Sequence, residues 1–175
     1  MDAAHFVQGA FLCGLWCACR WFLRGASGRQ RYSVRGAWNA VTNELARVTT
    51  AGTVSSETRC DLLRHIAALG LTGPITLVLD NARDQRCTLV TSVAATLHIT
   101  LEFLPSYSPN LNLIERLWKF VQRDVLSGRH DNTFTDFRRA IDGCLDHIPT
   151  KHRPQLATRM THNFQHFNTA SFLAA

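Results

Sequence analysis

Paired Cys-x-x-Cys spacing is missing from this chain, although six cysteines stand at Cys13, Cys17, Cys19, Cys60, Cys87 and Cys144. No set of them has the spacing that closes a tetrahedral zinc site, so reduced, buried thiols are expected. The eight histidines are scattered. His162 and His166 are four apart but lack a carboxylate placed between them as in a zinc-protease helix, and they read as surface or structural residues. A phosphate-binding loop of the G-x-x-x-x-G-K-[ST] type is also absent, and GASGRQR does not supply one. That excludes a nucleotide hydrolase built on such a loop. Repeats, low-complexity segments and linkers are lacking too, so the 175 residues read as one folded unit, long enough to bury a core.

No basic residue precedes the apolar stretch from Phe6 to Leu23, Gln8 and Arg20 interrupt it, and no cleavage-site pattern follows. A signal peptide or membrane span is thereby disfavoured, and a cytoplasmic location is expected. Acidic charge is in short supply: 13 Asp and Glu stand against 19 Lys and Arg, a net charge of +6. With a pI near 9.4 the surface field attracts polyanions, which favours DNA or RNA as a partner.

From Phe6 to about Val54, short runs rich in Phe, Trp, Val, Tyr and Thr alternate with small or polar residues, a pattern of three antiparallel strands that includes RYSVRGAWNAV. The period then changes. Ser55 or Ser56 can cap a helix in which Cys60, Leu63, Ile66 and Ala67 recur at helical spacing, ending near Gly70. The run ITLVL from Ile75 to Leu79 is too short for a helix and reads as a strand buried on both faces. A helix over about 85–97 and a strand over about 99–103 repeat the alternation, so the fold expected is α/β with a mixed sheet: an antiparallel portion, then parallel strands, flanked by helices. Ser108 or Pro109 opens a long helix to about Leu126, with Leu113, Ile114, Leu117, Trp118 and Val121 in one stripe. A further helix is expected from Thr135 to about His147.

Ligands in such sheets gather outside the carboxyl ends of the parallel strands. Asp80 stands at the end of ITLVL, where it is either a site acid or a turn and cap residue. Glu115, early in the long helix, can approach the same sheet end, or merely pair with Lys119 one turn on. Asp2, in MDAAHF on the first strand, is the third acid. Phosphodiester chemistry needs hard cations, and magnesium favours a few carboxylates plus water and substrate oxygens. Two such ions, about 4 Å apart, activate an attacking water or 3′-hydroxyl and stabilise the leaving oxygen.

The strings LVLDNAR and LPSYSPNLNLIERLWKF, with 34 residues between Asp80 and Glu115, resemble the DDE transposases of the mariner superfamily, specifically its bacterial insertion-sequence branch. The resemblance runs from MDAAHF through SGRQRYSVRGAWNAVTNEL to NFQHF, nearly the whole chain. It implies a ribonuclease H-like fold, cleavage of DNA at transposon ends, strand transfer to target DNA, and two Mg²⁺ or Mn²⁺ ions. Asp2, Asp80 and Glu115 match the three catalytic and metal-holding acids. Asn81, Pro105, Tyr107, Ser108, Pro109, Asn110 and Asn112 match the surrounding pattern, with Asn81, Asn110 and Asn112 in supporting roles as orienting, phosphate-binding, turn or cap residues. Asp84 departs from the aromatic or histidine that relatives often place there.

Phosphate contacts are expected from Arg29, Arg31 and Arg35, and from Lys119 and Arg123 on the Glu115 helix; such contacts carry little base information. Relatives carry a helix-turn-helix region ahead of the matched part. The expectation is therefore a single catalytic domain over 1–175, truncated at its amino end and lacking encoded end recognition. Handling two ends implies a homodimer or association with a full-length transposase, and no membrane. Three other readings stay open: an inactive remnant or split half with only weak DNA binding, a nuclease of the same fold acting on an RNA–DNA hybrid, and a non-catalytic interaction domain.

Overall fold

The computed structural model describes residues 1–9, 18–19, 30–50, 52, 55–81, 87–106, 108–129 and 131–164. Three strands, β1 (Asp2–Val7), β2 (Arg31–Asn39) and β3 (Glu44–Thr50), pair antiparallel in the order β1-β2-β3. The β2–β3 turn is built by Asn39, whose side-chain oxygen accepts from the Val41 and Thr42 amides at 2.9 and 3.1 Å, and by Asn43 at φ +59°. Asparagine suits both tasks, because its short amide mimics a backbone acceptor and tolerates the left-handed region. Helix α1 (Ser56–Ala68) follows, with Ser55 as its N-cap and Gly70, at φ +63°, just beyond its end. Strands β4 (Ile75–Leu79) and β5 (Ile99–Phe103) then pair in parallel through the crossover helix α2 (Thr88–Thr96).

The Met1 amino group donates to the Val78 carbonyl at 2.6 Å, so the start of β1 lies beside β4 and the two sheets adjoin. Strand alternation then sorts side chains to two faces. On one, Ala4 and Phe6 of β1 join Tyr32 and Val34 of β2 in a core covered by the later helices. On the other, Ala37 and Ala46 pack with α1, α2, Leu77 and Leu79. This explains why β2 is buried along most of its length. The expectation that β4 is buried on both faces needs correcting: α1 and α2 cover the Leu77 and Leu79 side, while Val78 is 43% exposed.

The long helix expected from residue 108 or 109 is resolved into three pieces. A 3₁₀ turn (Pro109–Leu111) leads to α3 (Leu113–Val121), which continues as a π-helical turn over Gln122–Leu126. Pro109 opens the first piece at a position where its missing N–H costs nothing. The apolar stripe behaves as expected, with Ile114, Leu117, Trp118 and Val121 all buried. Each such side chain contributes about 1.5–3 kcal/mol relative to exposure. Helix α4 (Phe134–Asp146) begins at Thr133, whose hydroxyl accepts from the Asp136 amide at 3.1 Å. A short α5 (Arg153–Ala157) closes the core through Leu156. No helix among the described residues is long and apolar enough to cross a membrane.

Candidate active site

Asp2 opens β1, directly opposite Gly36 of β2 in the antiparallel register. Alternation puts Asp2 on the same face as Ala4 and Phe6, the face packed by α3. Gly36 is what lets α3 come close. A Cβ there would stand 2.9 Å from Leu45 Cδ1, 3.0 Å from Trp118 Cη2 and 3.2 Å from Ile114 Cδ1. Glycine inside a strand marks such an approach, and in RYSVRGAWNAV it is the sequence signal for the close seating of α3. With the helix seated this low, Glu115, the neighbour of Ile114, meets Asp2: the two carboxyl groups share a side-chain hydrogen bond.

Asp80 follows β4 immediately, half-buried. Leu77 and Leu79 point to the α1 and α2 core, so continued alternation carries Asp80 to the α3 side. Its charge is felt at Glu115. Burial first, then the Asp2 carboxylate and its hydrogen bond, push Glu115 from 4.5 up to about 7; Lys119, one turn on, opposes this, and Asp80 adds to it. The Glu115–Lys119 pairing considered above is thus present as an electrostatic contact, but the approach of Asp2 outweighs it. Crowded carboxylates of this kind suit a hard divalent cation, which would replace mutual repulsion with shared attraction.

The raised Glu115 has a measurable consequence. Between its ordinary 4.5 and about 7 the folded protein holds a proton that the unfolded chain has lost. Metal-free stability should therefore fall as pH rises through that window and level off above it. Melting midpoints taken in a chelator at pH 5 and pH 7.5 should differ in this direction. Glu115→Gln should shrink the difference, and an unchanged difference in that variant would contradict the assignment.

The supporting residues are placed unequally. Asn112, 5% exposed, is the N-cap of α3, and its backbone carbonyl accepts from the Glu115 amide at 3.1 Å, which fixes the first turn carrying the acid. Asn81 donates from Nδ2 to Ser106 Oγ at 3.0 Å, tying the segment after β4 to the loop after β5. Asn110 is exposed on the 3₁₀ turn and lines a groove with Pro109, Glu115, Arg116, Lys119, Asn163 and Phe164. Tyr107 and Asp84 lie outside the described residues.

Among the basic residues, Arg31, Lys119 and Arg123 are exposed, and Arg29 falls outside the described residues. Arg35 requires a correction. It is 4% exposed, because alternation between Val34 and Gly36 turns it under α1, away from solvent. Burial, then the nearby Arg59, lower it to about 10, while Asp2 and Asp80 draw it back up. Arg35 is thus an internal counter-charge near the acids and not a surface phosphate contact. Arg116 was not singled out from the sequence, yet it holds the C-terminal segment against α3. Its guanidinium donates to the Arg159, Thr161 and Asn163 carbonyls at 3.0, 2.8 and 3.1 Å and lies 5.3 Å from the Phe164 ring centre. Arginine flanking an acid on a helix gave no signal distinguishing this role from a solvated charge.

Residues 22–138, which carry β2 to β5, Asp80, Glu115 and the start of α4, match the family described as DDE superfamily endonuclease. The chain belongs to that family. Its fold is similar to that of Mos1, a mariner transposase. Against the Mos1 transposase paired-end complex with left transposon end, the TM-score is 0.63 at 12% identity, over 94% of this chain and 55% of that one. Against the Mos1 mariner paired end complex with Mn it is 0.64 at 12% identity, over 95% and 55%. The catalytic domain of Mos1 mariner transposase alone gives 0.56 at 12% identity, over 79% and 77%. The chain thus spans little more than half the length of the two Mos1 chains in the DNA-end complexes. No curated protein matches it.

Proposed function

We propose that this chain is the ribonuclease H-like catalytic domain of a mariner-superfamily transposase of the bacterial insertion-sequence branch, cleaving DNA at transposon ends and joining the ends to target DNA. The observation that carries the reading is the placement of Asp2 at the start of β1, Asp80 just past β4 and Glu115 in the first turn of α3, with Gly36 opposite Asp2 letting α3 down onto the sheet. Family membership and the similarity to a Mos1 complex with Mn support it. Asp2, Asp80 and Glu115 would hold two Mg²⁺ or Mn²⁺ ions, whose chemistry is activation of a water or 3′-hydroxyl and stabilisation of the leaving oxygen. Asn112 fixes the turn bearing Glu115, and Asn81 orients the segment bearing Asp80. Arg31, Lys119 and Arg123 would contact phosphates, and the groove past Asn110 and Lys119 would receive a strand. Transposon ends, target DNA and a second transposase subunit are the partners in this reading.

The test is incubation of the chain with supercoiled plasmid and Mn²⁺, alongside an oligonucleotide duplex carrying a free 3′-hydroxyl. Nicked circles together with oligonucleotide joined to plasmid support a transposase. Nicking without joined species favours a nuclease of the same fold. DNA retention without either product favours a remnant that only binds.

A further inference from the structure

Away from the acids, three potential metal ligands of different chemistry meet on the far side of α3. Asp124 sits in the π-helical turn, Cys144 near the end of α4 and His152 at the N-cap of α5. Their ligand atoms lie within 4.8 Å of one another. The Cys144 thiol faces Asp124 Oδ2 at 4.0 Å, and His152 Nε2 faces the same oxygen at 3.9 Å.

Several features hold this arrangement in place. Cys144 is 7% and His152 4% exposed. The imidazole packs edge-on against Phe120 at 5.2 Å between ring centres. The His152 amide donates to the His147 carbonyl at 3.1 Å, which fixes the backbone that presents the ring. Two ligand positions are thus buried, while the Asp124 side chain is 42% exposed and leaves an approach from solvent. A π-helical turn displaces side chains from the positions an α-helix would give them, and such turns recur at functional sites. Here it carries Asp124 and extends the helix that begins beside Glu115.

We propose that Asp124, Cys144 and His152 form a zinc site, with water completing a tetrahedron. A thiolate, an imidazole and a carboxylate are the ligand types zinc takes, and three protein ligands plus water is a known arrangement for it. Zinc–ligand bonds of about 2.0–2.3 Å at tetrahedral angles place ligand atoms about 3.3–3.6 Å apart. Rotamer adjustments of well under 1 Å per side chain would close the present spacing. In the metal-free protein, burial and then the Asp124 carboxylate push the Cys144 thiol up to about 12, with Lys151 opposing, so ion entry displaces a proton. The ion would tie α4 and α5 to the helical rod that presents Glu115. Its role is bracing and is separate from strand chemistry.

The spacing of these residues along the sequence matches no metal motif. Cys144 and His152 are separated by a helix end and a turn, and Asp124 comes from the preceding helix.

Titrating the full chain with Co²⁺ tests the site through an optical signal that only a thiolate ligand gives, the near-ultraviolet thiolate-to-cobalt charge-transfer band. One equivalent of band-forming Co²⁺, bleached by one equivalent of Zn²⁺, is the expected result. Cys144→Ser should abolish the band, and Asp124→Asn, on a partly exposed side chain that tolerates the change, should weaken cobalt binding by about 100-fold. Asp80→Asn should leave the band intact, which separates this site from the acidic one. Absence of the band up to millimolar Co²⁺ overturns the proposal, as does a band of full strength in folded Cys144→Ser. If Cys144→Ser does not fold, unchanged cobalt affinity in Asp124→Asn overturns it equally.

Discussion

Asp80→Asn is expected to reduce Mn²⁺-dependent nicking about 1,000-fold in a protein that still folds. The side chain is almost isosteric, so the α1 and α2 core behind Leu77 and Leu79 is undisturbed. What is lost is a full negative charge from a small set of donors. A metal ion contributes several kcal/mol of charge stabilisation in the transition state. Losing on the order of 4 kcal/mol of it, at about 1.4 kcal/mol per tenfold, gives the stated factor. Calorimetry should show Mn²⁺ affinity falling in the same variant, and single-turnover nicking should fall with it. Activity within threefold of the wild-type rate would remove Asp80 from the chemistry and leave the proposed function without its second acid.

How much of this was legible beforehand differs by level. The strands β4 and β5 and the helices α1 and α4 were readable because each is a local statement: an apolar run, a cap or a 3.6-residue stripe. The three acids could be put forward as a candidate set only because strand ends and a helix start have fixed positions in an α/β sheet, and because the surrounding strings resemble a family. Burial was read less well. Val78 looked internal in a continuous apolar run, yet it is exposed, since whether a second layer covers a strand depends on distant segments. Arg35 looked like a surface cation in a basic cluster, whereas the alternation around it turns the side chain inward beneath α1, where it still feels the charges of Asp2 and Asp80. The Asp124, Cys144 and His152 cluster was invisible for a related reason. Its members are joined by helix packing, and no spacing rule reports a contact made by three separate elements.

Gly36→Ala is expected to do disproportionate damage for a single methyl group. Added carbon at that position falls within 3.2 Å of Leu45, Trp118 and Ile114, side chains that are themselves held in the main core. Overpacking of this order costs about 1–3 kcal/mol and is relieved by moving side chains and helix outward. The outward movement is what matters for the chemistry, because Gly36 lies opposite Asp2 in the sheet and Ile114 precedes Glu115 in α3. Raising α3 by even a fraction of an ångström separates the two carboxyl groups, and misplacement of about 1 Å can cost about 100-fold in rate. The variant should therefore melt earlier, lose about 100-fold in Mn²⁺-dependent nicking, and show Glu115 relaxing from about 7 back toward 4.5. A merely structural glycine would lower the melting midpoint without moving Glu115. Gly143→Ala provides the contrast: a Cβ there meets nothing within 4 Å in the interior of α4, so helix propensity alone should stabilise it by about 1 kcal/mol. Trimming the obstruction in the double variant Gly36→Ala, Leu45→Val should return part of the activity, because room for the methyl group lets α3 settle back over Asp2. If the double variant recovers stability but not nicking, the seating of α3 on the sheet is not what brings Glu115 to the acids.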